Sequence, residues 1–174
     1  MRMQLRDATP ADFPAILALN HTFVAVLSPL DEARLIHLHE QAAQHRVIDR
    51  DGEVIAFLLT LRKGAAYDSP NYRWFAARYR QFLYVDRIVV AASAQGTGAG
   101  RALYRDAFRH ASERGLPVLV CEFDTVPPNP ASARFHAALG FCEVGTQTLE
   151  GGKQVSLQAL EIAMDTPLSR ASDP

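Results

Sequence analysis

The chain has 174 residues, of which 48% are hydrophobic and 21% are charged. That length predicts one globular domain, which buries roughly 70% of its extended-chain surface without disulfide support. Eighteen Lys and Arg oppose nineteen Asp and Glu, so the formal net charge is −1. A nearly neutral chain argues against nucleic acid or an anionic membrane as the main partner. The two cysteines, Cys121 and Cys142, make neither a disulfide framework nor a zinc cluster.

Hydropathy and the two chain ends set the expected location and domain limits. The longest unbroken apolar run is the six residues Val54–Leu59, which is too short for a transmembrane helix. No charged start followed by an apolar stretch marks a signal peptide. We therefore expect a cytoplasmic protein without a metal, with one domain over residues 1–164. Residues 165–174 are expected to form a flexible tail.

The first third of the chain predicts a strand, two helices and a hairpin. Residues 3–6 alternate as in a strand, and a helix-start signal follows at residues 7–12. The apolar positions of the first helix are Phe13, Ile16 and Leu17. A second helix is predicted from Asp31 to about Ala43, with Leu35, Ile36 and His39 facing inward. Strands at 46–49 and 54–61 flank a turn in which Gly52 supplies a positive φ.

The rest of the chain predicts alternating strands and helices that end in a hairpin. Residues 82–90 predict a buried strand, and residues 99–114 a helix that ends at Gly115. The predicted apolar face of that helix consists of Leu103, Ala107, Phe108 and Ala111. Another strand covers 118–123, and Asn129 caps a short helix that ends at Gly140. Strands at 141–149 and 155–164 close the chain around residues 150–152. This order predicts an α/β or α+β sandwich with a mixed sheet.

The segment 95–101, Gln-Gly-Thr-Gly-Ala-Gly-Arg, lies between a predicted strand and a predicted helix. Three glycines let a ligand approach the backbone closely, and free N–H groups at a helix start favour a phosphate. A P-loop would need Lys and then Ser or Thr after the last glycine, where Arg101 and Ala102 stand. A dinucleotide fingerprint lacks its third glycine, although Glu122 lies at the spacing of a ribose ligand, so this alternative is weakened but stays open. A pyrophosphate on a long extended arm fits the segment best.

Two motifs resemble those of the GNAT superfamily of acetyl-CoA-dependent N-acetyltransferases. Gln95-x-x-Gly98-x-Gly100, after the strand at 82–90, is similar to the family's motif A. Asn129, then His136 and then Gly140-Phe141 are similar to its Asn…Tyr…Gly-Phe motif B, with histidine in place of tyrosine. The motifs cover about residues 82–141, and the order of elements extends the resemblance over nearly the whole chain.

The resemblance implies a fold and an activity. The fold has three layers, about four helices and a mixed central sheet of about seven strands, in which the fourth and fifth strands splay apart. The activity is transfer of an acetyl group from acetyl-CoA to a primary amine of a small molecule or peptide, by direct attack in a ternary complex. A non-catalytic acyl-CoA-binding regulatory module on the same fold is the alternative, because the motif B tyrosine is replaced.

The resemblance also implies which residues hold coenzyme A. In the family, the backbone at the end of the fourth strand binds the pantetheine arm, and those positions here are Ile88, Val89 and Val90. The pyrophosphate would lie on the motif A segment, which consists of Gln95, Gly96, Thr97, Gly98, Ala99, Gly100 and Arg101. The motif B helix would add Asn129, Ser132 and His136. Asn129 is also explained as a helix cap alone, and Arg101 as a solvated helix residue.

Catalysis needs a proton donor and a proton acceptor. The family tyrosine that protonates the departing thiolate corresponds to His136, and histidine donates a proton near neutral pH. Glu122 is the favoured general base, because several family members carry a glutamate beside the thioester. Asp86 on the preceding strand is the second candidate, with a structural alternative in which it pairs with Arg87, and Asp124 is the third. The backbone N–H near Val90 is expected to stabilise the charge that develops on the thioester oxygen.

Residues 64–81 form a long insertion rich in aromatic residues. Such loops are often lids or binding loops, and the alternative is a short helix that packs its aromatics on the core or on a second copy in a homodimer. Three arginines of the insertion, Arg73, Arg78 and Arg80, either orient a substrate carboxylate or face water. The region 22–45 is the other expected substrate wall, and its histidines His37, His39 and His45 are a weak metal signal.

Overall fold

The structure is a computed structural model that describes residues 2–25 and 27–163. The predicted tail at 165–174, and Met164 at the predicted end of the last strand, lie outside the described residues. In the described ranges, no helix is long and apolar enough to cross a membrane.

A seven-stranded mixed sheet forms the centre of the molecule, as predicted. Its strands are β1 (Met3–Asp7), β2 (Gln44–Arg50), β3 (Glu53–Arg62), β4 (Leu83–Val90), β5 (Val118–Val126), β6 (Cys142–Thr148) and β7 (Gln154–Glu161). They lie in the order β1-β2-β3-β4-β5-β7-β6, and β4 with β5 is the parallel pair. The predicted turn at Gly52 joins β2 to β3, and Asp51 and Gly52 both have positive φ there.

Within the described part of the chain, five α-helices cover the two faces of the sheet. They are α1 (Phe13–Thr22), α2 (Glu32–Gln41), α3 (Pro70–Arg78), α4 (Ala99–Glu113) and α5 (Pro130–Leu139). The α4 and α5 helices pack on one face, and α1, α2 and α3 pack on the other, which gives three layers. The prediction of about four helices missed α3, which lies inside the insertion. Ser69 caps α3 by accepting a hydrogen bond from the Tyr72 backbone N–H.

Two inward-facing predictions are wrong, and helix geometry explains both. Ile36 is 42% exposed, whereas Leu35 and Leu38 are fully buried. Each helical residue turns about 100°, so Ile36 lies far from the direction that Leu35 and Leu38 share. In α4, Phe108 is 38% exposed and Tyr104 takes the buried position instead. His39 is only partly buried.

The sheet opens between β4 and β5. These strands pair only at Leu83 with Leu119 and at Tyr84 with Val120, and then diverge. Immediately after that pairing, Asp86 is an extra residue in β4, because Val85 pairs with Thr60 and Arg87 pairs with Leu59. This β-bulge shifts the side-chain alternation, so that Leu83 and Val85 face the same core as Ile88 and Val90. The implied splay of the fourth and fifth strands is therefore confirmed.

Candidate active site

A cleft of about 870 Å³ lies between the diverging ends of β4 and β5. Every residue predicted to bind coenzyme A or to act in catalysis lines this cleft: Asp86, Ile88, Val89, Val90, Gln95, Gly96, Thr97, Gly98, Ala99, Gly100, Arg101, Glu122, Asp124, Asn129, Ser132 and His136. The fold therefore brings together residues from β4, the glycine segment, β5 and α5. Their individual roles stay predictions.

The glycine segment presents backbone N–H groups at the start of α4. Gly98 is the N-cap, with a left-handed φ of 88°, and no side chain of the described residues caps the helix. The first N–H groups of a helix have no acceptor within it, so those of Ala99, Gly100 and Arg101 are available to a ligand. At Gly100, a Cβ atom would lie 3.1 Å from Cζ of Phe135, so glycine permits the close approach of α5.

The end of β4 offers a free backbone edge to the same cleft. The Ala91 N–H donates to the Ile55 carbonyl oxygen of β3 at 2.8 Å. Since N–H groups point alternately to the two sides of a strand, those of Ile88 and Val90 point away from β3. Pairing with β5 has already ended at Tyr84. These groups can therefore bind an extended ligand in the manner of an added strand.

Asp86 forms a buried ion pair with its neighbour, the structural alternative considered for it. Its Oδ2 lies 2.7 Å from Nε of Arg87, and both side chains are 3% exposed. The Tyr67 hydroxyl donates to Oδ1 of Asp86, and burial together with the Asp86 charge raises the pKa of Tyr67. Arg87 also donates to Oδ1 of Asn20 at 2.8 Å and to the Ser28 carbonyl oxygen at 3.3 Å. Asp86 and Arg87 thus tie the insertion and the segment after α1 to β4.

Glu122 is a buried carboxyl group of β5 that lines the cleft. Its Oε1 accepts a hydrogen bond from the Tyr84 hydroxyl at 2.8 Å, and its buried Oε2 has no partner among the described residues. Burial first, and the Asp86 charge second, raise the pKa of Glu122 to about 8. A carboxyl group with this pKa exchanges protons in the pH range where amines react, which suits a general base.

His136 is a buried ring whose two nitrogen atoms both lie within hydrogen-bonding distance of protein groups. Its Nδ1 lies 2.8 Å from the Ser132 carbonyl oxygen, which only accepts, so Nδ1 carries the hydrogen. Nε2 therefore accepts from the Tyr104 hydroxyl at 2.6 Å. The residue is 4% exposed, and burial lowers its pKa. Both ring nitrogens are thus engaged within the protein.

Three further chain segments, each separate in sequence from the glycine segment, also line the cleft. The segment after α1 contributes Phe23, Leu27 and Ser28, the insertion contributes Tyr67, Ser69 and Asn71, and the β6–β7 hairpin contributes Leu149 and Lys153. The insertion also contains a short helix, α3, whose Tyr72 and Phe75 are buried in the core, as one of the two predictions for it has it. A role of the insertion as a lid or as a dimer contact stays a prediction.

Some residues expected near the substrate lie elsewhere. His37, His39 and His45 do not line the cleft, and His39 and His45 instead bond each other through their Nδ1 atoms at 2.8 Å. Arg73, Arg78 and Arg80 are exposed and do not line it either. Within residues 2–25 and 27–163, no group of three His, Cys, Asp or Glu side chains is arranged to hold a metal ion.

Sequence reasoning missed several residues of the cleft. Asn71 lines the cleft, and its Oδ1 accepts a hydrogen bond from Nε2 of Gln147 at 3.1 Å. It was missed because its Ser-Pro-Asn context is typical of the start of a helix and not of a binding site. The burial of Tyr104 could have been predicted, because it precedes Ala107 by three residues and so lies on the same buried side of α4. Lys153 lies in the turn region between β6 and β7, and no local pattern connects it to β5.

A mixed sheet that opens between two parallel strands beside a glycine-rich helix start defines the GNAT class of folds. A model of the Acetyltransferase (GNAT) family matches residues 8–141 of the chain. The chain belongs to this family. No curated protein matches it.

Solved structures share the fold across nearly their whole length. The ribosomal-protein-S18-alanine N-acetyltransferase of Escherichia coli is 20% identical, with a TM-score of 0.71, and the match covers 96% of this chain and 98% of that one. The putative acetyltransferase yncA of Salmonella typhimurium, solved with its cofactor acetyl-CoA, is 21% identical, with a TM-score of 0.71 and 99% coverage of both chains. Ard1 of Thermoplasma volcanium is 15% identical, with a TM-score of 0.78 and coverage of 94% and 99%.

Proposed function

We propose that this protein is an N-acetyltransferase that transfers an acetyl group from acetyl-CoA to a primary amine by direct attack in a ternary complex. The observation that carries the proposal is the content of one cleft. It joins free N–H groups at the start of α4, the unpaired edge of β4, and the carboxyl group of Glu122. The first two suit a diphosphate on an extended arm, and the third suits an amine.

The residues present fit coenzyme A. The N–H groups of Ala99, Gly100 and Arg101 would hold the pyrophosphate, and Ile88 and Val90 would bind the arm through their backbone. Asn129 and Ser132, at the start of α5, would line the other side of the bound cofactor. The bound thioester supplies an activated acetyl carbon, and the chain supplies its position and the exclusion of water.

Glu122 acts as the general base in this proposal. Its Oε2 has no close hydrogen-bond partner among the described residues, although Asn71 lies beside the carboxyl group. Oε2 can therefore accept a proton from the incoming ammonium group, directly or through water. Asp86 acts as a positioning residue, because its carboxylate is bound to Arg87 and Tyr67. Its charge also supports the high pKa of Glu122.

His136 shapes the cofactor wall in this proposal. A proton leaving its Nδ1 would break the hydrogen bond to the Ser132 carbonyl oxygen, and its Nε2 already accepts one from Tyr104. Water is then the proton source for the departing thiol. The cytoplasmic location and the homodimer stay predictions of the sequence.

Release of free thiol from acetyl-CoA by the purified protein, across a panel of primary amines, tests the proposal. We expect at least one amine to be acetylated, and Glu122→Gln to lower kcat by about 100-fold or more, the usual contribution of a general base. Glu53→Gln is the matched control, because Glu53 is exposed at the start of β3 and does not line the cleft. Equal kcat for Glu122→Gln and wild type would show that Glu122 is not the general base.

A non-catalytic acyl-CoA-binding module is the second candidate function. The observation that favours it is His136, which stands at the position of the motif B tyrosine and has both nitrogens engaged. Calorimetry with coenzyme A separates the two functions. Binding without thiol release for every amine would support the module.

A further inference from the structure

We infer that the amine substrate carries no carboxylate beside its reacting nitrogen, as in an alkylamine or an amino acid whose carboxyl group is blocked. This inference rests on the proposed function and concerns the substrate class of the same site. Its basis is the pairing of charges at the end of the cleft where Glu122 lies, which would receive the amine.

Three carboxyl groups and two cations line this end. The carboxyl groups belong to Asp86, Glu122 and Asp124, and the cations belong to Arg87 and Lys153. Each cation already has a carboxylate. Arg87 is paired with Asp86 at 2.7 Å, and Nζ of Lys153 lies 3.0 Å from Oδ2 of Asp124. Glu122 is the carboxyl group without a cation, so the unbalanced charge here is negative when it ionises.

Other cations of the described chain do not reach this end. Arg101 lines the cleft at the start of α4, beyond the carboxyl end of β4. Asp86 lies four residues before Val90, and four strand residues span roughly 13 Å. The exposed arginines of the insertion do not line the cleft at all. A substrate carboxylate would therefore meet Glu122 and Asp86 without a cation to bind.

An amine without a carboxylate fits the same surroundings. An ammonium group brings the positive charge that balances Glu122 when this residue gives up its proton. Beyond the carboxyl groups, the cleft wall includes the apolar side chains of Phe23, Leu27 and Leu149. These surfaces suit an uncharged, apolar substituent on the amine.

Matched substrate pairs that differ only in the carboxylate test this inference. The pairs are phenylalanine with phenethylamine, and leucine with 3-methylbutylamine, each assayed with acetyl-CoA by thiol release. We expect kcat/KM to be at least tenfold higher for the decarboxylated member of a pair. The decarboxylated amines are more basic, so their smaller fraction of free base works against this result and makes it more stringent.

Two variants of the Asp124–Lys153 pair give a readout that general damage to the fold does not produce. Asp124→Asn releases the charge of Lys153, so the preference for the decarboxylated amine should narrow at least threefold. Lys153→Gln leaves Asp124 unpaired, so the preference should widen. Opposite shifts would locate the selection at this pair, whereas equal shifts of both variants would overturn that part of the inference.

The outcomes separate this inference from the function on which it rests. Equal or higher kcat/KM for the amino acids in wild-type protein would refute the substrate class and leave the acetyltransferase function standing. Binding of coenzyme A without thiol release for any member of the pairs, or for any amine of the wider panel, would refute the function itself.

Discussion

Replacing Glu122 with glutamine should change how the stability of the protein depends on pH. Burial and the Asp86 charge raise the pKa of Glu122 from 4.5 to about 8 in the folded state. Between these two values the folded protein holds a proton that the unfolded chain has released, so stability falls as pH rises. Below about pH 4.5 the carboxyl group is protonated in both states, and above about pH 8 the loss is complete.

The size of the effect follows from the width of this pH window. Each pH unit within it costs about 1.4 kcal/mol, so the wild type loses on the order of 4 kcal/mol through Glu122 between pH 5 and pH 8.5. Glutamine keeps an oxygen that accepts from the Tyr84 hydroxyl and carries no proton to release. The Glu122→Gln variant should therefore gain stability relative to wild type as pH rises.

Urea unfolding of both proteins at pH 5, 7 and 8.5 measures this difference. We expect nearly equal free energies of unfolding at pH 5 and a clear advantage of the variant at pH 8.5. Glu53→Gln, which makes the same chemical change at an exposed position, should follow the wild type throughout. Parallel curves for wild type and Glu122→Gln would show that this carboxyl group titrates normally, and the argument for it as a base of raised pKa would fail.

Three further predictions concern the same cleft. The kcat/KM of the wild type should rise with pH through about 8, because the Glu122 carboxyl group, whose pKa is raised to that value, must be ionised to accept a proton; a flat profile over pH 6 to 9 would contradict this. Gly98→Ala should cost about 1 kcal/mol or more of stability and weaken coenzyme A binding measured by calorimetry, since φ is 88° there. Gly64→Ala is its control, because φ is 93° at Gly64, outside the cleft, so stability should fall similarly while coenzyme A affinity stays unchanged. Tyr104→Phe should cost about 1–3 kcal/mol by leaving Nε2 of His136 without a donor. In a His136→Leu background, Tyr104→Phe should lower the free energy of unfolding only slightly. Equal losses of stability in both backgrounds would show that the hydrogen bond between Tyr104 and His136 does not stabilise the fold.

The part of the cleft formed by the glycine segment and the start of α5 could be predicted, as far as its local conformation goes, because it is built from contiguous sequence. Residues 95–101 and the helix that starts at Asn129 adopt turns and caps that depend on neighbouring residues only. Asn129 does accept from the Ser132 N–H, and Gly140 ends α5 in the left-handed conformation, as predicted. Local chemistry of this kind is readable without knowledge of the fold.

The part of the cleft lined by the insertion and by Lys153 could not be predicted, because long-range packing brings it together. Asn71 reaches the cleft only because the aromatic side chains of α3 pack on Tyr84. Lys153, which follows Asp124 by 29 residues in the chain, reaches it only because β7 lies beside β5. Neither contact leaves a periodic pattern in the sequence. The many aromatic residues of the insertion indicate that it packs on the core, but they do not indicate which of its polar residues reach the cleft.

The bulge at Asp86 connects the two sides physically. A regular strand would place Asp86 and Arg87 on opposite faces, and the extra residue lets them form one buried pair while Ile88 and Val90 stay with the core under α4. The same irregularity occurs where pairing with β5 stops, so it accompanies the free backbone edge of β4. It also places the Asp86 charge, which is second to burial among the causes that raise the pKa of Glu122 across the opening. The free backbone edge of β4 and part of the raised pKa of Glu122 thus accompany one bulge residue. Its signal in the sequence is the pair of charged residues, Asp86 and Arg87, within a largely apolar strand.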